Sequence, residues 1–198
     1  SMGGSLTLQS IDARAVLLPL RRPIVSKVGR FDGWPMILID VYTREGVVGR
    51  SYLEPYLKDA VGSIIPLIRT LGAAHTDKPI APLDIYQSSR KSQNLVGYEG
   101  ITMIAVAGID MAIWDALAKA AGQPLARLLG GTLGTVPAYN SNGLWLSDMA
   151  TLAGEAAELA AEGGFSALKL RLGRDALAAD LAAIREVRQG AGNSVKLM

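Results

Sequence analysis

Residues 165–173 read F-S-A-L-K-L-R-L-G, a stretch in which leucines alternate with two basic residues. Side chains on a β-strand point alternately to opposite faces, so the stretch predicts a strand with Lys169 and Arg171 on one face and leucines on the other. Glycine follows, as is typical where a strand turns toward a helix. Two interpretations stay open: an edge strand with a solvated basic face, or a barrel strand whose cations point inward near its C-terminal end, where parallel barrels carry out chemistry.

The sequence around this stretch alternates between strand patterns and helical patterns. They follow one another over residues 136–142, 148–162, 166–172, 175–189 and 195–198. This order is typical of a parallel α/β fold, in which helices cover a sheet. We therefore expect residues 132–198 to form the first strands and helices of an incomplete α/β barrel domain, because two and a half βα units cannot close a barrel.

Residues 5–131 have a different organisation, and we expect them to form a separate domain. Strand patterns are followed by helical patterns, over residues 6–18, 36–43, 47–53, 58–71, 83–94 and 100–121. The segment R-E-G between the second and third strands predicts a hairpin. The last of these helices is apolar nearly all round, which predicts that it is buried on most sides.

Residues 21–34 show no hydrophobic period and contain two glycines, so we expect a loop. Loops of this length in compact domains are often lids or binding loops. Ile24, Val28 and Phe31 are poor choices for a loop that lies in water. They either pack on their own domain or close over a ligand.

The composition excludes several classes of protein. The chain has 198 residues, of which 49% are hydrophobic and 19% charged, and its net charge is +2. These values predict a soluble globular protein without a nucleic-acid partner or a membrane partner. Because there is no cysteine, disulfides and thiolate metal sites are excluded, which fits a cytoplasmic protein. The only histidine, His75, lies in a predicted loop, and we assign it no role.

Residues 107–131 read A-G-I-D-M-A-I-W-D-A-L-A-K-A-A-G-Q-P-L-A-R-L-L-G-G. This segment resembles the signature of the mandelate racemase and muconate lactonising enzyme group of the enolase superfamily. The resemblance extends over residues 5–198 and is greatest to the mandelate racemase branch in V-V-G-R-S-Y-L-E-P-Y (47–56) and P-A-Y-N-S (137–141). It implies an α+β capping domain, with a three-stranded antiparallel sheet plus helices, followed by the start of a modified TIM-type (β/α)7β barrel.

The resemblance also implies a reaction, the abstraction of the proton α to a carboxylate. The resulting enediolate is held in this family by a divalent metal, usually Mg²⁺, because positive charge must meet the developing negative charge. The second barrel strand of the family carries a K-x-K pair, in which one cation lowers the pKa of the other so that a lysine can act as the base. The implied catalytic residues are Lys169 and Arg171.

The sequence departs from the family pattern in two ways. Arg171 stands where the family has the second lysine, and a free arginine titrates near ~12.5–13.8 against ~10.4 for lysine. We therefore expect Arg171 to supply charge and hydrogen bonds, and Lys169 or a base on a later strand to remove the proton. The first metal-binding aspartate of the family is expected just beyond Met198, so we expect no metal ligand in this chain and no turnover by it alone.

Further positions follow singly from the resemblance as substrate-binding candidates, each with ordinary packing or capping as its alternative: Ile24, Phe31, Tyr56 and Ser141. The apolar pair Ile24 and Phe31 favours racemisation of a nonpolar 2-hydroxy acid. Arg171 favours dehydration of a sugar acid, for which one base suffices. The alternative of another class is a catalytically inert fragment with an exposed sheet edge. We expect a small carboxylic acid as substrate and a homo-oligomer in solution.

Overall fold

The computed structural model describes residues 5–198, which form two compact units. The first unit contains the described residues up to Leu18 together with Trp34–Leu133. The second contains Pro19–Gly33 together with Gly134–Met198. The predicted division into domains between residues 131 and 132 stays a prediction.

A three-stranded sheet opens the chain. Its strands are β1 (Leu8–Ser26), β2 (Gly29–Thr43) and β3 (Val48–Leu53), in the order β1-β2-β3. β2 and β3 are antiparallel, with Asp40 opposite Arg50. The hairpin predicted at R-E-G is confirmed, since the Thr43 N–H donates to the Val47 carbonyl at 3.1 Å.

The loop predicted over residues 21–34 is wrong, because this segment belongs to β1 and β2. The two strands continue through it and are separated only by Lys27 and Val28. β1 contains Pro19 and Pro23, and it lies at the edge of the sheet, where a residue without an N–H is tolerated. The absence of a hydrophobic period in residues 21–34 did not exclude strands, because strands are paired by backbone hydrogen bonds and not by a pattern of side chains.

Four helices follow in the first unit: α1 (Lys58–Ala73), α2 (Pro82–Ser92), α3 (Ile101–Ala120) and α4 (Leu125–Leu128). α3 lies at the centre of the packing, and its buried residues join those of β2 and α1 in one apolar cluster. A Cβ at Gly49 would collide with the Ala112 carbonyl, so β3 approaches α3 closely. Among residues 5–198, α3 alone is long and apolar enough to span a membrane, and 44% of its most apolar window is buried.

The second unit alternates strand and helix. It begins with the tip of the hairpin that β1 and β2 form, residues 19–33. Its later elements are α5 (Met149–Ala161), β4 (Ala167–Leu168), α6 (Leu177–Ala191) and β5 (Lys196–Leu197). β4 and β5 are parallel, and Asn140 forms a parallel bridge with Leu168. The predicted parallel start of a barrel is confirmed, although the regular strands are shorter than the sequence patterns. Leucines of β4 and of the segment after it pack with α5 and α6 in one buried cluster.

Candidate active site

The segment that follows β4 holds the two predicted catalytic residues. Leu168 and Leu170 are buried, whereas Lys169 and Arg171 border a common cleft. Backbone hydrogen bonds fix this segment: the Lys169 N–H donates to the Asn140 carbonyl at 3.1 Å, and the Arg171 N–H donates to the Leu144 carbonyl at 2.9 Å. The predicted alternation therefore holds through Leu170 but not at Leu172, which is 45% exposed.

The cleft is small and positively charged. Ser141, Gly143 and Trp145 form its other walls. Its volume is about 10 Å³, enough for one water molecule. The guanidinium carbon of Arg171 lies 5.4 Å from the centroid of the Trp145 ring, a distance at which the ring face attracts a cation.

A larger cavity of about 360 Å³ shares two of these walls. Ser141 and Trp145 border both spaces, and the hairpin contributes further walls that include Leu20, Arg22 and Ile24. Four of the six predicted site residues thus lie around these two spaces in the second unit: Ile24, Ser141, Lys169 and Arg171. Their roles stay predictions.

The other two predicted substrate-binding residues do not border these spaces. Phe31 is half-buried in the second unit. Tyr56 belongs to the first unit, is 62% exposed and packs edge-on against Trp34 with ring centroids 5.9 Å apart. Its φ of 63° is unusual for a residue other than glycine, and the Leu57 N–H donates across it to the Pro55 carbonyl at 2.7 Å. The roles predicted for both residues stay predictions.

The tip of the β1–β2 hairpin is attached to the rest of the second unit at three places. Arg22 donates to Glu162 at 2.8 Å and to Glu158 at 3.3 Å. The Leu146 N–H donates to the Val25 carbonyl at 2.9 Å, and the Lys27 ammonium lies 2.6 Å from an Asp175 carboxylate oxygen. Residues 19–33 therefore pack on residues 134–198, which places Ile24 at the cavity.

Charge and hydrogen bonds stabilise the ionised carboxylate of Glu162. Arg22 is the main cause, and the side-chain amide of Asn140, 3.2 Å from the second carboxylate oxygen, adds to it. Together they lower the pKa of Glu162. The same contact raises the pKa of Arg22. The hairpin is thus attached by an ion pair that is intact at neutral pH.

The sequence patterns did not reveal the turn at residues 141–145, which carries two walls of the cleft. Leu144 is fully buried and has a φ of 56°, although a leucine rarely adopts this left-handed conformation. The Glu155 carboxylate accepts from the Leu144 N–H at 3.2 Å and so holds the turn on α5. The letters S-N-G-L-W (141–145) contain the turn-forming Asn-Gly pair, a signal that could have predicted a turn but not its anchor.

Asn140 is the second residue that the sequence patterns missed. Its side chain is buried and donates to the Leu159 carbonyl at 3.1 Å and to Glu162, while its oxygen accepts from the Asn142 N–H at 3.1 Å. These bonds join the backbone at Asn140, which bridges to Leu168 of β4, to the end of α5. Ser141, the next residue, is thereby held at the cleft.

Residues 10–130 match the family described as mandelate racemase / muconate lactonizing enzyme, N-terminal domain. The chain belongs to this family. The match covers β1 to α4 almost completely, which confirms the resemblance seen in residues 107–131.

Solved structures and curated relatives of the family resemble the whole chain. An enolase from the alphaproteobacterium bal199, crystallised with bound Mg, is 49% identical with a TM-score of 0.93, over 98% of this chain and 54% of that one. An enolase from Bradyrhizobium, complexed with magnesium and mandelic acid, is 36% identical with a TM-score of 0.88, over 100% of this chain and 54% of that one. L-Ala-D/L-Glu epimerase from Bacillus subtilis is 28% identical over 94% of this chain and 50% of that protein.

The chain therefore spans about half the length of these relatives. Further matching proteins are sugar-acid dehydratases, a racemase and cycloisomerases. The family includes several reactions on small carboxylic acids, so membership by itself does not distinguish racemisation from dehydration.

The described residues do not form a magnesium centre. Residues 5–198 contain no group of three or more histidine, cysteine, aspartate or glutamate side chains that could hold a metal ion. Mg²⁺ is bound by oxygen ligands, whereas the cleft is bordered by the two cations Lys169 and Arg171. The expectation that the metal ligands follow Met198 stays a prediction.

Proposed function

We propose that this chain supplies the capping domain and first barrel strands of an enzyme that removes the proton α to the carboxylate of a 2-hydroxy acid and thereby racemises it. The observation that carries this proposal is the cleft at which Lys169, Arg171 and Ser141 meet, beside a cavity bordered by Ile24. A similar enolase complexed with mandelic acid, an aromatic 2-hydroxy acid, supports the choice of substrate.

Each residue around the cleft has its own role in the proposed reaction. The α-proton of a carboxylate is a very weak acid, so its removal requires positive charge where negative charge develops. We assign proton removal from one face of Cα to Lys169, and the return of a proton on the opposite face to an acid on a later barrel strand. Arg171 would bind the carboxylate, because an arginine presents a fixed fork of donors and does not offer a lone pair at neutral pH. Ser141 would donate a hydrogen bond to the same group. Ile24, which borders the adjoining cavity, would contact the remainder of the substrate.

The proposed cofactor of the complete enzyme is Mg²⁺, because two similar enolases were crystallised with magnesium. Residues 5–198 contain no group of three or more histidine, cysteine, aspartate or glutamate side chains that could hold it. The complete protein would therefore combine the cations of this cleft with a metal held elsewhere in the barrel.

Dehydration of a sugar acid is the second candidate. Arg171 favours it, since removal of one proton from one face needs only one base. Arg21 also borders the cavity and would bind the hydroxyl or carboxylate groups of a polar substrate. Several curated relatives, including an L-talarate/galactarate dehydratase, carry out this reaction.

Proton exchange in D₂O separates the candidates. The protein, with Mg²⁺, is incubated with each enantiomer of mandelate and with galactarate, and NMR follows deuterium at Cα and the appearance of a 2-keto-3-deoxy product. Racemisation predicts exchange and loss of optical activity with mandelate, and dehydration predicts the keto acid from galactarate. Lys169→Ala is expected to abolish either reaction, and Lys196→Ala, an exposed lysine on β5, is the matched control.

The role of Arg171 needs its own variant. If Arg171 already acts as a base, Arg171→Lys should give no gain in racemisation; if it only binds the carboxylate, the new lysine adds a base and racemisation increases.

The inert-fragment alternative predicts no turnover with any substrate and an assembly or aggregate in size-exclusion chromatography. The intact mass of the protein, compared with 20.9 kDa, decides whether the polypeptide assayed is this chain alone.

A further inference from the structure

Trp145 is the wall shared by the charged cleft and the larger cavity. It borders the cleft together with Lys169 and Arg171, and it borders the cavity together with Ile24 and Leu20. No feature of the sequence singled it out. A volume of about 360 Å³ lies in the range of small-molecule sites, whereas the cleft accepts only one water. A substrate that meets the two cations must therefore extend past the Trp145 ring into the cavity.

Arg171 depends on the same turn for both its backbone and its side chain. Its N–H donates to the carbonyl of Leu144, the residue before Trp145, at 2.9 Å. Its guanidinium carbon lies 5.4 Å from the centroid of the Trp145 ring. Because the face of an indole attracts a guanidinium, the ring restricts where the cation can lie. Loss of the ring would free the Arg171 side chain to point into solvent.

The Trp145 backbone is itself held on both sides. Leu144 is fully buried and is fastened by Glu155, and the Leu146 N–H donates to the Val25 carbonyl of the hairpin. The Ser147 N–H donates to the Trp145 carbonyl at 2.7 Å. The backbone that carries the indole is therefore fixed by contacts of its neighbours and requires no substrate.

We propose that Trp145 is both a specificity-determining residue and a positioning residue of this site. Its ring receives the nonpolar, preferably aromatic, group of a carboxylic acid in the cavity, and it orients Arg171 toward the carboxylate of the same molecule. The inference rests on the proposed carboxylate site at Lys169 and Arg171. It adds a preference for aromatic acids over small aliphatic acids and names the residue that causes it.

Equilibrium binding of two unreactive acids, phenylacetate and acetate, tests this without turnover. NMR titrations of the full chain give both dissociation constants for the wild type, Trp145→Phe and Trp145→Leu. We expect phenylacetate to bind the wild type about tenfold more tightly than acetate, a ratio that falls to about two in Trp145→Leu and stays within about threefold of the wild-type ratio in Trp145→Phe. Tyr98→Leu removes a comparable cation–π contact, to Arg90 at 4.1 Å in the first unit, and should change neither constant.

The positioning role has a separate readout. Trp145→Leu should weaken acetate about threefold in the wild-type background and not at all in an Arg171→Gln background, since the ring then has no cation to orient. Equal losses in the two backgrounds would overturn the positioning role. An unchanged ratio of phenylacetate to acetate in Trp145→Leu would overturn the specificity role.

A further measurement keeps the inference testable if Trp145→Leu does not fold. The indole N–H signal of Trp145, identified by its absence from Trp145→Phe, should shift on titration of the wild type with phenylacetate more than with acetate. No shift of this signal, while other signals titrate, would contradict the inference. Because neither acid reacts, a negative turnover panel would refute the proposed reaction and leave these binding results unaffected.

Discussion

Arg22 donates from its guanidinium to Glu162 at 2.8 Å, across 140 residues of sequence, and this contact joins the β1–β2 hairpin to the end of α5. Glu158 and Glu155 lie 3.3 and 3.8 Å from the same guanidinium. One cation is thus surrounded by three carboxylates. The hairpin that borders the cavity with Ile24 is held in place by this cluster.

The contact predicts an acid-dependent loss of stability. Arg22 lowers the pKa of Glu162 below its ordinary value of 4.5, so the ionised carboxylate stabilises the folded state fully above that value. This stabilisation is lost as the pH falls through the lowered pKa. We expect the free energy of unfolding to fall more steeply between about pH 5 and about pH 3 in the wild type than in Glu162→Gln. Glu186→Gln on α6, outside the cluster, should keep the wild-type slope; equal slopes for all three proteins would contradict the prediction.

The left-handed conformation of Leu144 predicts an unusual order of two substitutions. Leu144→Ala loses a buried side chain, at a cost of about 2–5 kcal/mol, and keeps the φ of 56°. Leu144→Gly loses the same side chain but adopts this φ without strain. We therefore expect the glycine variant to be at least as stable as the alanine variant in chemical denaturation. At Leu152, which is equally buried in α5, the glycine variant should be less stable than the alanine variant by about 1 kcal/mol.

Two helical glycines of the second unit should respond oppositely to alanine. A Cβ at Gly190 of α6 would collide with the Ala153 carbonyl of α5, so Gly190→Ala forces the helices apart and should cost about 1–3 kcal/mol. Gly154 of α5 has open space around it, and Gly154→Ala should stabilise the protein by about 1 kcal/mol through helix propensity. Thermal unfolding of both variants measures the difference. Stabilisation by Gly190→Ala would show that the helices do not approach this closely.

The buried amide of Asn140 predicts a cost for its removal. Asn140→Ala leaves the Asn142 N–H without its partner and leaves the Leu159 carbonyl with only the longer bond from the Glu162 N–H at 3.3 Å, and we expect a loss of about 1–3 kcal/mol. Asn193→Ala, at an exposed position, should change stability by less than about 0.5 kcal/mol. Because Asn140 also contacts Glu162, the effect should be smaller in a Glu162→Gln background, where a charge-assisted bond has already been lost. Additive losses would indicate that the two residues act independently.

Much of the candidate site was predictable from local patterns. The alternation in residues 165–173 placed Lys169 and Arg171 together, and both border the cleft. Ser141 followed only from the resemblance to a family, since a serine does not indicate a site by itself. Ile24 was also indicated by its apolar character in residues 21–34, where closure over a ligand was one of two alternatives. Trp145 and Asn140 were missed because their significance comes from partners elsewhere in the chain, the guanidinium of Arg171 and the carbonyl of Leu159.

The sequence by itself determined the alternation of strand and helix, the three-stranded start and the family, because periods of two and 3.6 residues and the signature in residues 107–131 are properties of neighbouring residues. Only the tertiary structure decided that residues 21–34 are strands, that the hairpin tip packs on residues 134–198, and that Leu144 adopts a left-handed φ. These features depend on backbone pairing and on charges brought together across 140 residues, as between Arg22 and Glu162. Such contacts form only when the chain is folded, and no local period records them.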